Sequence, residues 1–279
     1  MTKLVSSTEV YGGPSNDRIR LLYDDAHSVF SFRRVAGRPG QPVVRLRRLS
    51  DGAMRSFSAE DIALNIPIAW AAGSDVTLRT WFNSGRGGDM DVPSGSGEPT
   101  FISGGAYTLG NGRVALVADG SDDDLVAPME LPQPLTVVAV GQVPAPQQDF
   151  MYLFDGRARG YRAQQGKELA MITRAAGAGG GGGLFAGNTS APLVGPGNQP
   201  TGKPIVWVGV YNGAGSFLVD GAGIYRGNPG DLGLGDLHVG AVMPNFRAKT
   251  TINELAIYAG AVTEARARLI QSVLAGWLA

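Results

Sequence analysis

Glycine and proline decide most about what this chain can become. Its 279 residues include 42 glycines and 17 prolines, and these fall between short apolar runs. Glycine opens backbone conformations that other residues avoid, and proline removes an amide donor, so both interrupt regular structure. What remains between them is too short for the helices, about 10–15 residues long, that link the strands of a parallel sheet. From residue 99 onward the strand-like runs are Arg113–Ala118, Leu135–Gln142, Phe150–Phe154, Glu168–Thr173, Ile205–Tyr211, Ser216–Val219, Leu234–Val242 and Thr250–Tyr258. Asn212-Gly213 and Asp220-Gly221 are hairpin signals between such runs. The pattern predicts an all-β fold, a sandwich or barrel. Leu135 to Val140 is apolar with little alternation, so this strand is expected to be central and buried on both faces.

The N-terminal third is less regular. Residues 1–22 read as an arm, broken by Ser6, Ser7, Gly12, Gly13 and Pro14, and the folded domain is placed at 23–279. A short helix is expected from about Asp24 to Val35, capped by Asp24 or Asp25. Strands are expected over Pro42–Leu49, Met54–Phe57 and Asp75–Phe82, and Ser58 to Asp61 reads as a capping box opening a short helix. The chain closes with a helix capped by Thr263. Its stripe of Leu269, Ile270, Val273, Leu274 and Trp277 should dock on the sandwich or form a contact between copies.

Composition removes several function classes. There is no cysteine, hence no disulfide, thiol nucleophile or Cys-ligated zinc. Lys+Arg and Asp+Glu both number 24, so no global field draws in nucleic acid or anionic membrane. A local cluster, Arg45, Arg47 and Arg48 near Arg33, Arg34 and Arg38, is either a solvated strand face or a phosphate-binding patch. No apolar run reaches the ~20 residues of a membrane helix. Residues 1–20 lack the charged-then-apolar order of a secretory signal. The tract Gly177 to Gly183 is a loop or a close backbone approach. It is not a phosphate loop, since no Gly-Lys-Ser/Thr follows.

Few residues suggest chemistry. His27 and His238 are the only histidines, and without a Gly-x-Ser-x-Gly elbow they read as structural. Asp122-Asp123-Asp124 is either a solvated turn or an oxygen site for calcium. Adjacent strand side chains point to opposite faces, so three consecutive aspartates do not all face one ion, which favours the solvated turn, with Asp122 and Asp124 the alternative ligands. Glu254 with Asp231 or Asp236 is the acidic set to test as a catalytic pair. Trp207, flanked by valines, reads as core. Trp81 reads as core or as a ring on which a sugar stacks, and Tyr161 and Tyr225, beside arginine and glycine, are candidate exposed contacts.

Three segments in order carry a resemblance. They are Ala26–Arg34 with Val43–Gly52, then Thr77 to Asp89 (Thr-Leu-Arg-Thr-Trp-Phe-Asn-Ser-Gly-Arg-Gly-Gly-Asp), then Ala118–Leu125 followed by Leu135–Val140. Together they resemble the catalytic domain of arabinofuranosidase B, a concanavalin A-like glycoside hydrolase whose relatives resemble modules of bacteriophage virion proteins. Ser216–Gly221, Leu237–Ala241 and Ile252–Tyr258 resemble laminin-G-like lectin modules. The resemblance covers residues 23–279. It implies a concanavalin A-like jelly-roll β-sandwich with a few short helices and a C-terminal helix, and a sugar site lined near Trp81 and Asn83. Aligned on Gly187-Asn188, the family's nucleophilic glutamate falls at about Gly182, and the family's disulfides are absent. The resemblance therefore implies a lectin-like virion protein with no catalytic residues, a head decoration or tail-associated component assembled in the host cytoplasm. Its partners would be other virion proteins through the arm, further copies of itself and a host surface glycan. Arabinofuranosidase-type hydrolysis is the alternative, and calcium is the one cofactor weighed.

Overall fold

In the computed structural model, the described residues are 16–35, 40–142, 151–156, 169–173, 182–187, 193–195, 204–240 and 251–278. Their strands form two large antiparallel sheets packed face to face. The smaller has the order β1 (Ser28–Ser31), β21 (Thr251–Tyr258), β12 (Leu135–Gln142), β17 (Pro204–Tyr211), β18 (Ser216–Val219) and β19 (Ile224–Gly227), with β10 (Leu116–Val117) also on β21. The larger runs β16 (Leu193–Val194), β15 (Gly182–Ala186), β14 (Leu169–Thr173), β13 (Met151–Asp155), β20 (Leu237–Gly240), β11 (Asp124–Ala127), β5 (Met90–Asp91), β4 (Val76–Trp81), β2 (Pro42–Arg48) and β3 (Met54–Ser58). β6 (Thr100–Ser103) pairs with β4, and β7 (Ala106–Tyr107) with β6. β8 (Leu109–Gly110) and β9 (Arg113–Val114) make a separate hairpin. The all-β sandwich expected from the turn pattern is what the chain forms.

Alternation assigns each face. Leu135, Val137 and Ala139 of β12 and Ile205 and Trp207 of β17 point into the core between the sheets, against Leu78, Trp81, Leu125, Phe154 and Leu237 of the larger sheet. The intervening Val138, Val140, Val206, Val208 and Val210 point the other way, into a second core. That second core is closed by two helices, α1 (Asn16–Tyr23) and the C-terminal α4 (Glu264–Leu278), through Ile19, Leu22, Tyr23, Ile270, Leu274 and Trp277. This is why β12 shows no polar face: both of its sides are dry. Each large apolar side chain so buried contributes roughly 1.5–3 kcal/mol.

The start of the domain differs from expectation. The helix expected over Asp24–Val35 lies earlier, at Asn16–Tyr23, and Ser28–Ser31 is strand β1, paired with Glu254–Ile257 of β21. Val29 enters the second core and Phe30 the first, so alternate residues are buried on opposite sides. A helix would bury only one of them. Residues 16–22, assigned to the arm from sequence, end with Ile19 and Leu22 packed beneath α4; residues 1–15 lie outside the described residues.

Other expectations hold with small shifts. Ser58 caps α2 (Ala59–Ala63): its hydroxyl accepts the Asp61 amide at 3.1 Å while the Asp61 carboxylate accepts the Ser58 amide at 2.9 Å. Helix α3 (Ile66–Ala71) follows, and both sit at the β3 edge. The run Arg113–Ala118 splits into β9 and β10. Thr263 accepts the Arg266 amide at 3.3 Å at the start of α4. Within the α4 stripe, however, Leu269 is 55% exposed, and Ala267 is buried with Ile270 and Leu274.

Candidate functional site

Paired residues in adjacent strands share a face. The register of the larger sheet therefore defines one continuous row: Ala170, Asp155, His238, Val126, Asp91, Thr80 and Arg45 pair in sequence across β14, β13, β20, β11, β5, β4 and β2. Their neighbours along the strands, Phe154, Leu237, Val239, Leu125, Met90, Trp81 and Val44, belong to the inter-sheet core. The row thus lies on the outer face of the larger sheet. Helices α1 and α4 cover the other sheet, and α2 and α3 sit at the β3 edge. Among the described residues no helix is placed over this row.

At its centre are three buried ionisable side chains. His238 is 4% exposed, Asp124 3% and Asp155 1%. His238 Nδ1 lies 3.2 Å from Asp124 Oδ1, and Asp155 stands directly opposite His238 in the ladder. Further along, the Thr80 hydroxyl donates to the Asp91 carboxylate, which is exposed. Burying carboxylates and an imidazole costs several kcal/mol unless hydrogen bonds and opposite charges compensate, so an array like this persists where it is paired or used. The exposed end of the row, Asp91 and Arg45, offers an acceptor and donors, the chemistry that hydroxyl-rich ligands require, with the buried cluster behind it. His238, expected to be structural, is the middle of this cluster. Asp155 carries no signal in the sequence, because only the register reveals that it faces His238.

The residues singled out from sequence do not converge. Trp81 is fully buried and stacks on Phe32 with ring centroids 4.5 Å apart. It is a core ring and presents no face to a sugar. Asn83 has both ends of its amide engaged. Its Oδ1 accepts the amides of Val29 at 2.9 Å and Gly85 at 2.7 Å, and its Nδ2 donates to Ser28 Oγ at 3.2 Å. It staples the 83–89 turn to β1. Gly85 and Gly87 are part of the same fit, since a Cβ there would sit 2.5 Å from the His27 carbonyl and 2.4 Å from Ser28 Oγ. Tyr225 is half-buried on β19, in the opposite sheet. Partial burial, the nearby Asp220 charge and a hydrogen bond to Asp220 raise its hydroxyl pKa. Tyr161 lies outside the described residues.

The acidic alternatives also resolve. Glu254 is an anchor: Ser31 Oγ and Arg33 Nε donate to its Oε2 at 2.8 Å, while Arg33 Nη2, at 3.0 Å, and the Tyr23 hydroxyl donate to Oε1. Burial and this carboxylate push the Tyr23 hydroxyl well above its ordinary range. With both oxygens engaged beneath α1 and α4, Glu254 does not form a catalytic pair with Asp231 or Asp236. In the acidic turn, Asp124 turns to His238, while Asp119, Asp122 and Asp123 gather their carboxylates within 4.8 Å of one another. The calcium set read from sequence as Asp122 and Asp124 is therefore corrected to these three, which offer the oxygen donors that calcium takes. Burial holds Asp123 up at about 6, with the Asp119 and Asp122 charges adding and the Asp119 amide opposing. Gly182 faces inward, where a Cβ would meet the Trp207 ring at 2.7 Å. A glutamate there would point into the core, so the residue at 182 says nothing about chemistry on the outer face. The outward neighbour, Gly183, has no side chain.

No family model and no curated relative matches this chain. Solved structures do. A GH54 α-L-arabinofuranosidase soaked with a cyclic sulfate inhibitor superposes with a TM-score of 0.67 at 11% identity over 92% of this chain. An arabinofuranosidase complexed with arabinofuranosyl-alpha-1,2-xylobiose gives 0.67 at 12% identity over 92%. The match spans 64% of the length of each of those chains. A Trypanosoma rangeli sialidase gives 0.46 at 11% identity, over 70% of this chain and 30% of its own. At such identities the likeness is one of architecture, and this chain shares its β-sandwich fold with the arabinofuranosidases.

Proposed function

We propose that this protein is a carbohydrate-binding β-sandwich whose ligand lies along the outer face of the larger sheet. The observation that carries the reading is the row that runs from the buried Asp155–His238–Asp124 cluster through Thr80 to the exposed Asp91 and Arg45, on the face that no described helix covers. Sugar hydroxyls both donate and accept, and the exposed Asp91 carboxylate and Arg45 guanidinium answer both needs, with the buried cluster fixing the strands behind them. A fold shared with arabinofuranosidases supports the reading without assigning their activity. The finer setting we propose is a bacteriophage virion, with the domain displayed on the head or tail and attached through residues preceding α1. Its support is the sequence resemblance to virion modules. Many displayed copies would give avidity to a weak single site.

A glycan array probed with the full chain tests the binding reading, with Asp91→Asn and His238→Gln as site variants. Binding to defined glycans that Asp91→Asn weakens about tenfold is expected. Uniform absence of signal at high protein density would sink it. Turnover of aryl arabinosides that Asp155→Asn or Asp124→Asn abolishes would replace binding with hydrolysis. For the setting, a chain lacking residues 2–14 should keep its fold and fail to join particles; normal incorporation would remove the attachment role.

A further inference from the structure

We infer that the β2–β4 half of the same outer face is a site for the carboxylate of an acidic sugar, such as a uronate. The inference rests on the glycan-binding reading and deepens it. Arg45 and Arg47 alternate outward on β2, about 7 Å apart along the strand. Opposite them the ladder slips: Arg45 pairs with Thr80 and Leu46 with Leu78, which leaves Arg79 as the extra residue of a bulge between the two arginines. A bulge re-aims a side chain, and here it brings a third guanidinium to the face.

What organises two of the three, Arg47 and Arg79, is Glu98. Its side chain is 7% exposed, and its carboxylate accepts Arg47 Nε at 2.8 Å, Arg79 Nη1 at 3.4 Å and the Thr77 hydroxyl. Arg47 and Arg79 are thereby each held through one nitrogen of the guanidinium. Their side chains are 43% and 34% exposed, and Arg45 is exposed with no acidic partner among the described residues. Guanidinium forks match a carboxylate in two parallel hydrogen bonds, and fixing them beforehand reduces the entropy lost on binding.

Charge selects the ligand. Three guanidiniums stand on the face with two carboxylates, Glu98, which Arg47 and Arg79 contact, and at the rim Asp91, which accepts the Thr80 hydroxyl. The balance is one positive charge, which suits a single carboxylate and is too small for a polyphosphate track. The other described arginines of the sequence cluster are spent elsewhere. Arg33 pairs with Glu254, Arg34 with Glu60, and Arg48 pairs with Asp51 and covers Trp70, while Arg38 lies outside the described residues. Their removal leaves a patch about one sugar wide, continuous along the row with Asp91 and the His238 cluster.

The test is calorimetric titration of the full chain with an oligogalacturonate, a neutral xylo-oligosaccharide and duplex DNA, at low and moderate salt. The variants are Arg45→Ala, Arg79→Gln and, as a control, Arg55→Ala, which lies on the opposite side of β3 over Phe57. Arg47 is kept, because its loss would strip a buried carboxylate of its main partner. Expected are at least tenfold tighter binding of the uronate than of the neutral sugar, a tenfold loss in Arg45→Ala or Arg79→Gln, and no change in Arg55→Ala. Neutral sugar bound as well as uronate would overturn the acidic preference and leave the glycan reading standing. Duplex DNA bound as tightly would overturn it in favour of a general polyanion surface. No binding of either saccharide would remove both readings.

Discussion

At Glu254 a carboxylate with no solvent exposure is held by Arg33, Ser31 and Tyr23, and Trp277 lies over the Arg33 guanidinium at 4.0 Å. Taking one partner from such a pair leaves the other charge buried and uncompensated, which costs about 3–5 kcal/mol. Glu254→Gln is expected to lose that much in urea unfolding, and Arg33→Met with Glu254→Leu to lose less than either single change. A double variant whose cost equals the sum of the two single changes would show that the pair is not coupled. Asp123 makes the opposite case. Its folded pKa of about 6 lies above that of an unfolded aspartate. The folded chain therefore binds this proton more tightly. Asp123 costs nothing below about pH 4 and destabilises progressively as pH rises through 6, by up to about 3 kcal/mol. Asp123→Asn should gain stability over the parent at pH 8 and match it at pH 4; parallel melting profiles across that range would contradict the assignment.

Strands and helices show which parts of the pattern could be read in advance. β12 was legible because five apolar residues in a run of six, without alternation, leave few options, and Leu135–Gln142 is its observed span. β1 was not, because Val29, Phe30 and Phe32 suit a helix locally, and only pairing with β21 makes Ser28–Ser31 a strand. In α4 the sequence stripe included Leu269, yet the helix turns Ala267, Ile270 and Leu274 towards β17. Leu274→Ala should therefore cost about 2–5 kcal/mol, and Leu269→Ala within about 0.5 kcal/mol. Equal costs in thermal melts would mean that the helix is rotated. β15 carries its own constraint, since Gly182 lies flat against Trp207. Gly182→Ala is expected to cost about 1–3 kcal/mol through overpacking, and smaller ring volume in Trp207→Phe should recover part of it.

Across the whole molecule the charges cancel, with a sequence pI near 6.7, so repulsion between copies is weakest close to neutrality. Solubility should pass through a minimum there, and a flat profile between pH 5 and 9 would show that local patches govern association. Turn residues and apolar runs by themselves determine the all-β class and most strand spans, because backbone freedom at glycine and burial along a run are local properties. The absence of cysteine likewise settled which covalent chemistries were closed. The candidate site was not local in that sense. Asp124, Asp155 and His238 are scattered along the chain, and Arg79 joins Arg45 and Arg47 only through a bulge. Trp81 and Asn83, whose motif suggested a site, were absorbed by packing and by a turn. Which outward side chains become neighbours depends on strand order and register, and both arise from the simultaneous burial of two faces, which no single segment specifies.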